Sequence, residues 1–120
     1  MTYNPESIFA KILRGEIPCK KVYESAHALA FYDINPAAKI NVLLIPKGAY
    51  VSFQDFSEKA SSDEIADLIR AVGAVAKQLD IVSDGYRLLS NAGANGGQEV
   101  PHFHVHLFGG QRLGAMLARA

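Results

Sequence analysis

The sequence is poor in several things, and each shortage narrows what the protein does. It has one cysteine, Cys19, so no disulfide framework and no paired-cysteine metal site is available within the chain. That residue reads as an ordinary small hydrophobe. Charge of one sign is missing too: 12 Lys and Arg balance 12 Asp and Glu. A broad basic field able to hold a nucleic-acid backbone is therefore absent, and no nucleic-acid partner is expected. A mononucleotide needs only a small site, so charge balance does not count against that ligand. No apolar run approaches a membrane span, and Met1 to Pro5 lacks a basic stretch followed by a long apolar one. The expectation is a cytoplasmic protein without a membrane partner. There is no internal repeat, low-complexity tract or linker. With 120 residues the chain suits one domain, 1–120, with a short extension at 1–6 and a tail at 111–120.

Histidine is also scarce, four in all, yet three of them fall in Pro101-His102-Phe103-His104-Val105-His106-Leu107-Phe108. They alternate with Phe103, Val105 and Leu107. A period of two is the strand period, which puts the histidines on one face and the apolar residues on the other. Neighbouring histidines then stand roughly 6.6 Å apart along the strand. That spacing suits one small anionic group or one shared metal. The preceding segment, Asn91 to Val100, carries Gly93, Gly96 and Gly97. Such a loop suits tight turns, close approach to a ligand and an anion-binding nest of backbone N–H groups. A row of imidazoles beside an anion cradle points to phosphate chemistry.

Taken in order, Asn4-Pro5 predicts a helix start, and Ile8, Phe9, Ile12 and Leu13 form its apolar stripe before Gly15 stops it. Lys21 to Tyr23 and Leu29 to Ile34 read as strands. Asp33 then stands ahead of the Asn35-Pro36 turn, where it caps the turn or accepts hydrogen bonds from a sugar diol. Isolated His27 reads as a turn or surface residue. Ile40 to Ile45 reads as a central strand, with Asn41 at its edge or paired with backbone. Tyr50 to Phe53 reads as a short strand or an irregular connection, with Phe56 as a core anchor. Ser61 and Glu64 have the spacing of a capping box, and an apolar stripe through Ile65, Leu68, Ile69, Val72, Val75, Ala76 and Leu79 predicts a helix near 62–79. Gly73 inside it suggests close packing on the sheet. Tyr86 to Ser90 reads as a further strand, and 113–120 as a helical turn or an arm on a partner. The expected class is α+β: an antiparallel sheet with a short N-terminal helix and one long central helix.

Several of these stretches together resemble the histidine triad family, most closely its nucleotide-binding branch. They are Ile8-Phe9-Ala10-Lys11-Ile12, Gly15-Glu16-Ile17-Pro18, Phe31-Tyr32-Asp33-Ile34-Asn35-Pro36, Asn91 with Gly96-Gly97-Gln98, and His102 to Phe108. The resemblance runs from Ile8 to about Gly110. It implies a hydrolase or nucleotidyl transferase acting at the α-phosphorus of a purine mononucleotide derivative, in first place a nucleoside phosphoramidase with a covalent nucleotidyl-histidine intermediate. It also implies a homodimer whose sheets join into one, and neither cofactor nor metal. By position, His104 is the expected nucleophile, and His106 the histidine that hydrogen-bonds the phosphoryl group near the leaving atom. His102 is the expected structural first histidine. Asp33 is expected on the ribose hydroxyls, Phe31 and Ile34 in the base pocket, Asn91 on ribose or phosphate, and Gly97 and Gln98 in the phosphate loop. Two departures stand out. Asn41 replaces a histidine expected beside the first triad histidine. Glu99 replaces a serine near the leaving group; its carboxylate either disfavours anionic leaving groups and favours a cationic amine, or points to solvent. A binding or regulatory protein with weak catalysis is the alternative, and Asn41 is the feature that supports it.

Overall fold

A computed structural model describes residues 1–118. Five antiparallel strands form one sheet: β1 Lys21–Glu24, β2 Ala28–Tyr32, β3 Ile40–Pro46, β4 Arg87–Leu89 and β5 Val105–Gly109, ordered β1-β2-β3-β5-β4. Four helices accompany it: α1 Ile8–Leu13, α2 Phe53–Lys59, α3 Ser62–Gln78 and the single turn α4 Gly93–Gly96. The α+β class and the antiparallel sheet with one short and one long helix are as expected. Among the described residues no helix is long and apolar enough to cross a membrane.

The apolar run Val42-Leu43-Leu44-Ile45 in β3 is continuous because both of its faces are covered. Val42 and Leu44 point with Ala28, Ala30 and Leu107 into a core roofed by α3 through Leu68, Ala71, Val72, Val75 and Ala76. Leu43 and Ile45 point the other way, with Leu29 and Phe31, into a second cluster capped by Phe9 of α1. Alternation along β5 follows the same division. Phe103 and Leu107, with half-buried Val105, join the α3 core, so the histidines stand on the α1 side.

The helix ends explain two differences from the sequence reading. α1 starts at Ser7, whose hydroxyl accepts the Ala10 N–H, rather than at Asn4. Asn4 instead accepts the Glu6 N–H in the preceding turn. The helix stops as expected: Gly15 takes φ +78°, and the Glu16 N–H reaches back to the Lys11 carbonyl. α3 has the complete reciprocal capping box between Ser61 and Glu64. Preceding it, Tyr50 to Ser52 is the expected irregular connection, and it leads into α2, a helix that the sequence reading lacks. Ser52 caps α2, and Phe56 of α2 is the expected core anchor. Residues 113–118 form no helix, and Arg87 holds them by donating to the Gly114 and Ala115 carbonyls. Arg119 and Ala120 lie outside the described residues.

Gly73 corrects another expectation. It faces solvent, and a Cβ built there meets nothing within 4 Å. Close packing on the sheet is not its role. Gly73→Ala is expected to stabilise the fold by about 0.5–1 kcal/mol, because alanine restricts the unfolded chain at no steric cost here. Urea unfolding of the two proteins checks this, and an unchanged or lower midpoint contradicts it.

Candidate active site

The histidines reach their places by two means. His106 lies in β5, opposite Leu43 of β3 and Leu89 of β4. His102 and His104 precede the ladder, so other bonds hold that segment. The Phe103 N–H donates to the Tyr50 carbonyl at 2.7 Å, and the Ser90 hydroxyl donates to the His104 carbonyl at 2.8 Å. Phe9 sets its ring edge against both imidazoles, 4.9 Å from His104 and 6.3 Å from His102 between centroids.

Hydrogen bonds to carbonyls assign the tautomers. A carbonyl only accepts, so the ring nitrogen bonded to it carries the proton. His104 Nδ1 lies 2.8 Å from the His102 carbonyl oxygen, which makes Nδ1 the donor and leaves the Nε2 lone pair free in the neutral ring. His102 Nε2 lies 2.9 Å from the Pro46 carbonyl oxygen and donates there. Its Nδ1 then accepts from the Tyr3 hydroxyl at 2.9 Å. His106 Nδ1 faces the Asn41 side-chain amide nitrogen at 3.5 Å, a long contact. An amide N–H only donates, so this contact favours the proton on His106 Nε2.

His104 and His106 border a cavity of about 400 Å³. Its lining combines apolar Ile8, Phe9, Ile12, Phe31 and Ile34 with polar Asp33, Asn91 and Glu99 and the backbone at Gly97. Asp33 follows β2 immediately and caps the turn, the first of its two expected roles, while also lying at the cavity. One carboxylate oxygen accepts the Asn35 N–H at 2.9 Å, and the residue borders the cavity.

Two expected site residues stand behind the cavity instead. His102 is fully buried, with both ring nitrogens engaged. The three histidines therefore cannot jointly ligate one ion, and among the described residues no group of three or more His, Cys, Asp or Glu has metal-holding geometry. Gln98 spends its amide on the loop itself: Oε1 accepts the Gly93 N–H, and Nε2 donates to the Val51 and Val100 carbonyls. The Gly97 and Gln98 N–H groups close the turn of α4 by bonding Ala94 and Gly93. The glycine loop is thus a clamped turn presenting Gly97 at φ +77°, rather than an open nest centred on Gly96 and Gly97. Asn41 pairs with backbone, as one expectation had it, since Oδ1 accepts the Ala37 N–H. Its amide nitrogen, however, meets His106 and not His102. The side of the sheet explains this, since Asn41 lies diagonal to His106 across the β3–β5 ladder. His27 stands apart in the β1–β2 turn, as expected, its N–H bonded to Asp67.

Sequence reasoning missed Tyr3, the Pro46 carbonyl and Ser90. Each acts across a long chain separation, 99 residues for Tyr3 and His102. No local pattern carries such a contact.

Burial lowers all three imidazoles from their ordinary value. For His102 the loss of water is opposed by the Pro46 carbonyl and reinforced by His104. For His104 burial is opposed by the His102 carbonyl, then by the Asp33 and Glu99 carboxylates. For His106 burial comes first and His104 second. The three imidazoles are therefore mostly neutral at pH 7. A histidine whose folded pKa is depressed contributes stability that is full above its unfolded value of about 6.5 and is lost as pH falls through the folded value. The urea midpoint is expected to be level from pH 8 to about 7 and to decline below about 6.5, before carboxylates protonate. A midpoint that rises between about pH 6.5 and 5 contradicts the depressed values.

Known proteins share this arrangement. The HIT domain family matches residues 14–113. A 13.2 kDa HIT-like protein of Azospirillum brasilense is 58% identical over 118 residues, covering 98% of this chain and 97% of that one. The purine nucleoside phosphoramidase of Escherichia coli K12 is 42% identical over 113 residues, covering 94% of each chain. Among solved structures, a histidine triad protein from Clostridium difficile superposes with TM-score 0.87 at 37% identity, over 97% of this chain and 100% of that one. A HIT family hydrolase from Clostridium thermocellum gives 0.87 at 36%, over 96% and 99%. With the family match spanning most of the chain and the sheet, helices and histidine row all in place, this protein belongs to the HIT domain family, in its histidine triad branch.

Proposed function

We propose that the protein hydrolyses purine nucleoside phosphoramidates through a covalent nucleotidyl-histidine. Nucleotide binding with hydrolysis at phosphorus is the general activity that its HIT relatives support. The observation that carries the finer reading is the His104 tautomer: Nδ1–H is held by the His102 carbonyl, leaving Nε2 as a lone pair on a cavity-lining ring. A neutral imidazole in that state is a nucleophile that needs no base.

In this reading the base lies against Phe9, Phe31 and Ile34, and the ribose hydroxyls donate to Asp33. Asn91 and the loop at Gly97 receive the sugar and phosphate. Nε2 of His104 attacks the α-phosphorus. The N–P bond to His104 forms as the bond to the leaving amine breaks. The amine departs with a proton taken up from solvent. The nucleotidyl-histidine, its Nδ1–H retained, is cationic until the attacking water returns a proton to solvent. His106, protonated at Nε2, donates to the phosphoryl group near the leaving atom, where negative charge develops. Water then attacks the phosphorus, releasing the mononucleotide and neutral His104. Glu99 borders the same cavity, so a leaving amine that carries a second, cationic group is favoured over an anionic one.

The second reading, a nucleotide-binding regulator with weak catalysis, draws on Asn41, an amide that cannot titrate where relatives of the branch usually carry an imidazole. One experiment separates the two. The native protein is expected to release AMP from adenosine 5′-phosphoramidate with many turnovers; AMP binding without turnover favours the regulator.

A homodimer belongs to the same proposal. β4 is an outer strand with Leu88 49% exposed, and Ile69 of α3 and Phe53 of α2 lie exposed on the same apolar groove. Ile69 is the one member of the predicted helical stripe that the chain's own core leaves largely uncovered. The opposite edge, β1, is guarded by Lys21 paired with Glu24. Pairing of two β4 strands would join the sheets and cover the groove. A solution mass of twice one chain is expected, and a strict monomer at working concentration removes this part.

A further inference from the structure

Tyr3 lies in a segment that the sequence offers only as an extension. Its hydroxyl is nevertheless bonded to the innermost triad histidine. We infer that Tyr3 is a positioning residue for the nucleophile, acting through His102. The kinetic part of this inference rests on the function proposed above.

The chain of bonds has a fixed direction. Pro46 offers a carbonyl, so His102 Nε2 must donate to it. The remaining nitrogen, Nδ1, is then an acceptor in a fully buried ring, and Tyr3 supplies the donor. Two bonds on opposite sides of the ring fix its plane and anchor the residue's backbone. The His102 carbonyl on that backbone is what receives Nδ1–H of His104. Tyr3 therefore holds the acceptor that sets which His104 nitrogen is free. It does so without bordering the cavity, so it meets no substrate. Its ring lies 5.5 Å from that of His102, tilted by 55°, and Phe9 closes the other side.

A packing role alone predicts that a ring without the hydroxyl serves as well. Tyr3→Phe keeps the ring and removes the donor. It leaves the buried Nδ1 lone pair of His102 without a partner, so the ring is held only by its bond to the Pro46 carbonyl. Three readouts are needed on the full chain. Ring-nitrogen NMR of the native protein should report the proton on Nε2 in His102 and on Nδ1 in His104. In Tyr3→Phe the His102 Nδ1 signal should move while its proton stays on Nε2, and the His104 Nδ1–H signal should shift or broaden as the His102 carbonyl that receives it loosens. With adenosine 5′-phosphoramidate, kcat should fall about threefold to tenfold, while the dissociation constant for AMP stays unchanged.

Unchanged ring-nitrogen signals overturn the inference, even where thermal stability falls. So does a loss of AMP affinity that matches the loss of kcat, since Tyr3 would then act on binding. If the native protein turns over no phosphoramidate, the proposed function falls while the NMR signals still decide the role of Tyr3.

Discussion

Replacing His104 with alanine should lower phosphoramidate turnover by at least about a thousandfold while AMP still binds within about tenfold of native affinity. The gap between those two figures is the point. As a nucleophile, His104 is used only after binding, in forming the bond to phosphorus. As a binding residue it offers at most one hydrogen bond, worth about 0.5–1.5 kcal/mol net. Removing the ring also leaves Phe9 without its edge contact, but the base pocket at Phe31 and Ile34 and the carboxylate of Asp33 are untouched. Stopped turnover with retained binding is therefore expected, measured by product release and by titration with AMP. Undiminished turnover would remove His104 from the mechanism. A second signature accompanies it: trapping of the native enzyme in mid-reaction should give a phosphorus-labelled histidine, and the variant none.

His106→Ala should cost about a hundredfold to ten-thousandfold, and the cost should depend on the leaving group. Its ring borders the cavity, and the contact with Asn41 at Nδ1 favours the proton on Nε2. A donor placed near the leaving atom matters most when that atom leaves reluctantly. Amines of high basicity should therefore lose the most rate, and leaving groups that depart as stable anions the least. A series of adenosine phosphoramidates of graded amine basicity measures this as a steeper dependence in the variant. Equal loss across the series would place His106 on a nonbridging oxygen or in a structural role. The ring also stacks on Phe108 at 5.3 Å with planes 4° apart, so a parallel check of thermal stability is needed.

Some of this was readable along the chain because the code is short-ranged. The capping box of α3 needs only Ser61 and Glu64, three residues apart. The stop at Gly15 needs one residue able to take a positive φ. The facing of the three histidines needs only strand alternation, and Phe103, Val105 and Leu107 indeed turn to the α3 core. Asp33 is legible as a turn cap because the Asn35-Pro36 turn fixes where β2 ends, whereas its place at the cavity is seen only in the fold.

Other features were misread for reasons that are equally physical. Gly73 looks like a packing device in sequence, yet a helix periodicity cannot tell which side of the stripe a glycine takes when the stripe is wide. The structure gives it to solvent. The connection at Tyr50 to Ser52 is irregular, as one of its two readings has it, but α2 beyond it escapes the sequence, because its seven residues show one buried anchor, Phe56, and too short a stripe to declare a helix. Gln98 looks like a ligand contact beside a glycine loop. Its amide instead ties the loop's own Gly93 N–H and Val100 carbonyl to the Val51 carbonyl of the connection before α2.

The sequence by itself determined the class, the strand that bears the imidazoles, the face they share and the family. These follow from periodicity and from motifs whose parts lie within a few residues. Only the tertiary structure decided the protonation pattern of those imidazoles. The Pro46 carbonyl comes from β3, the Tyr3 hydroxyl from the chain start, and the Asn41 amide from across the ladder. A ring's tautomer depends on which donor or acceptor meets each nitrogen. That is a relation between distant segments, and it exists only once the chain has folded.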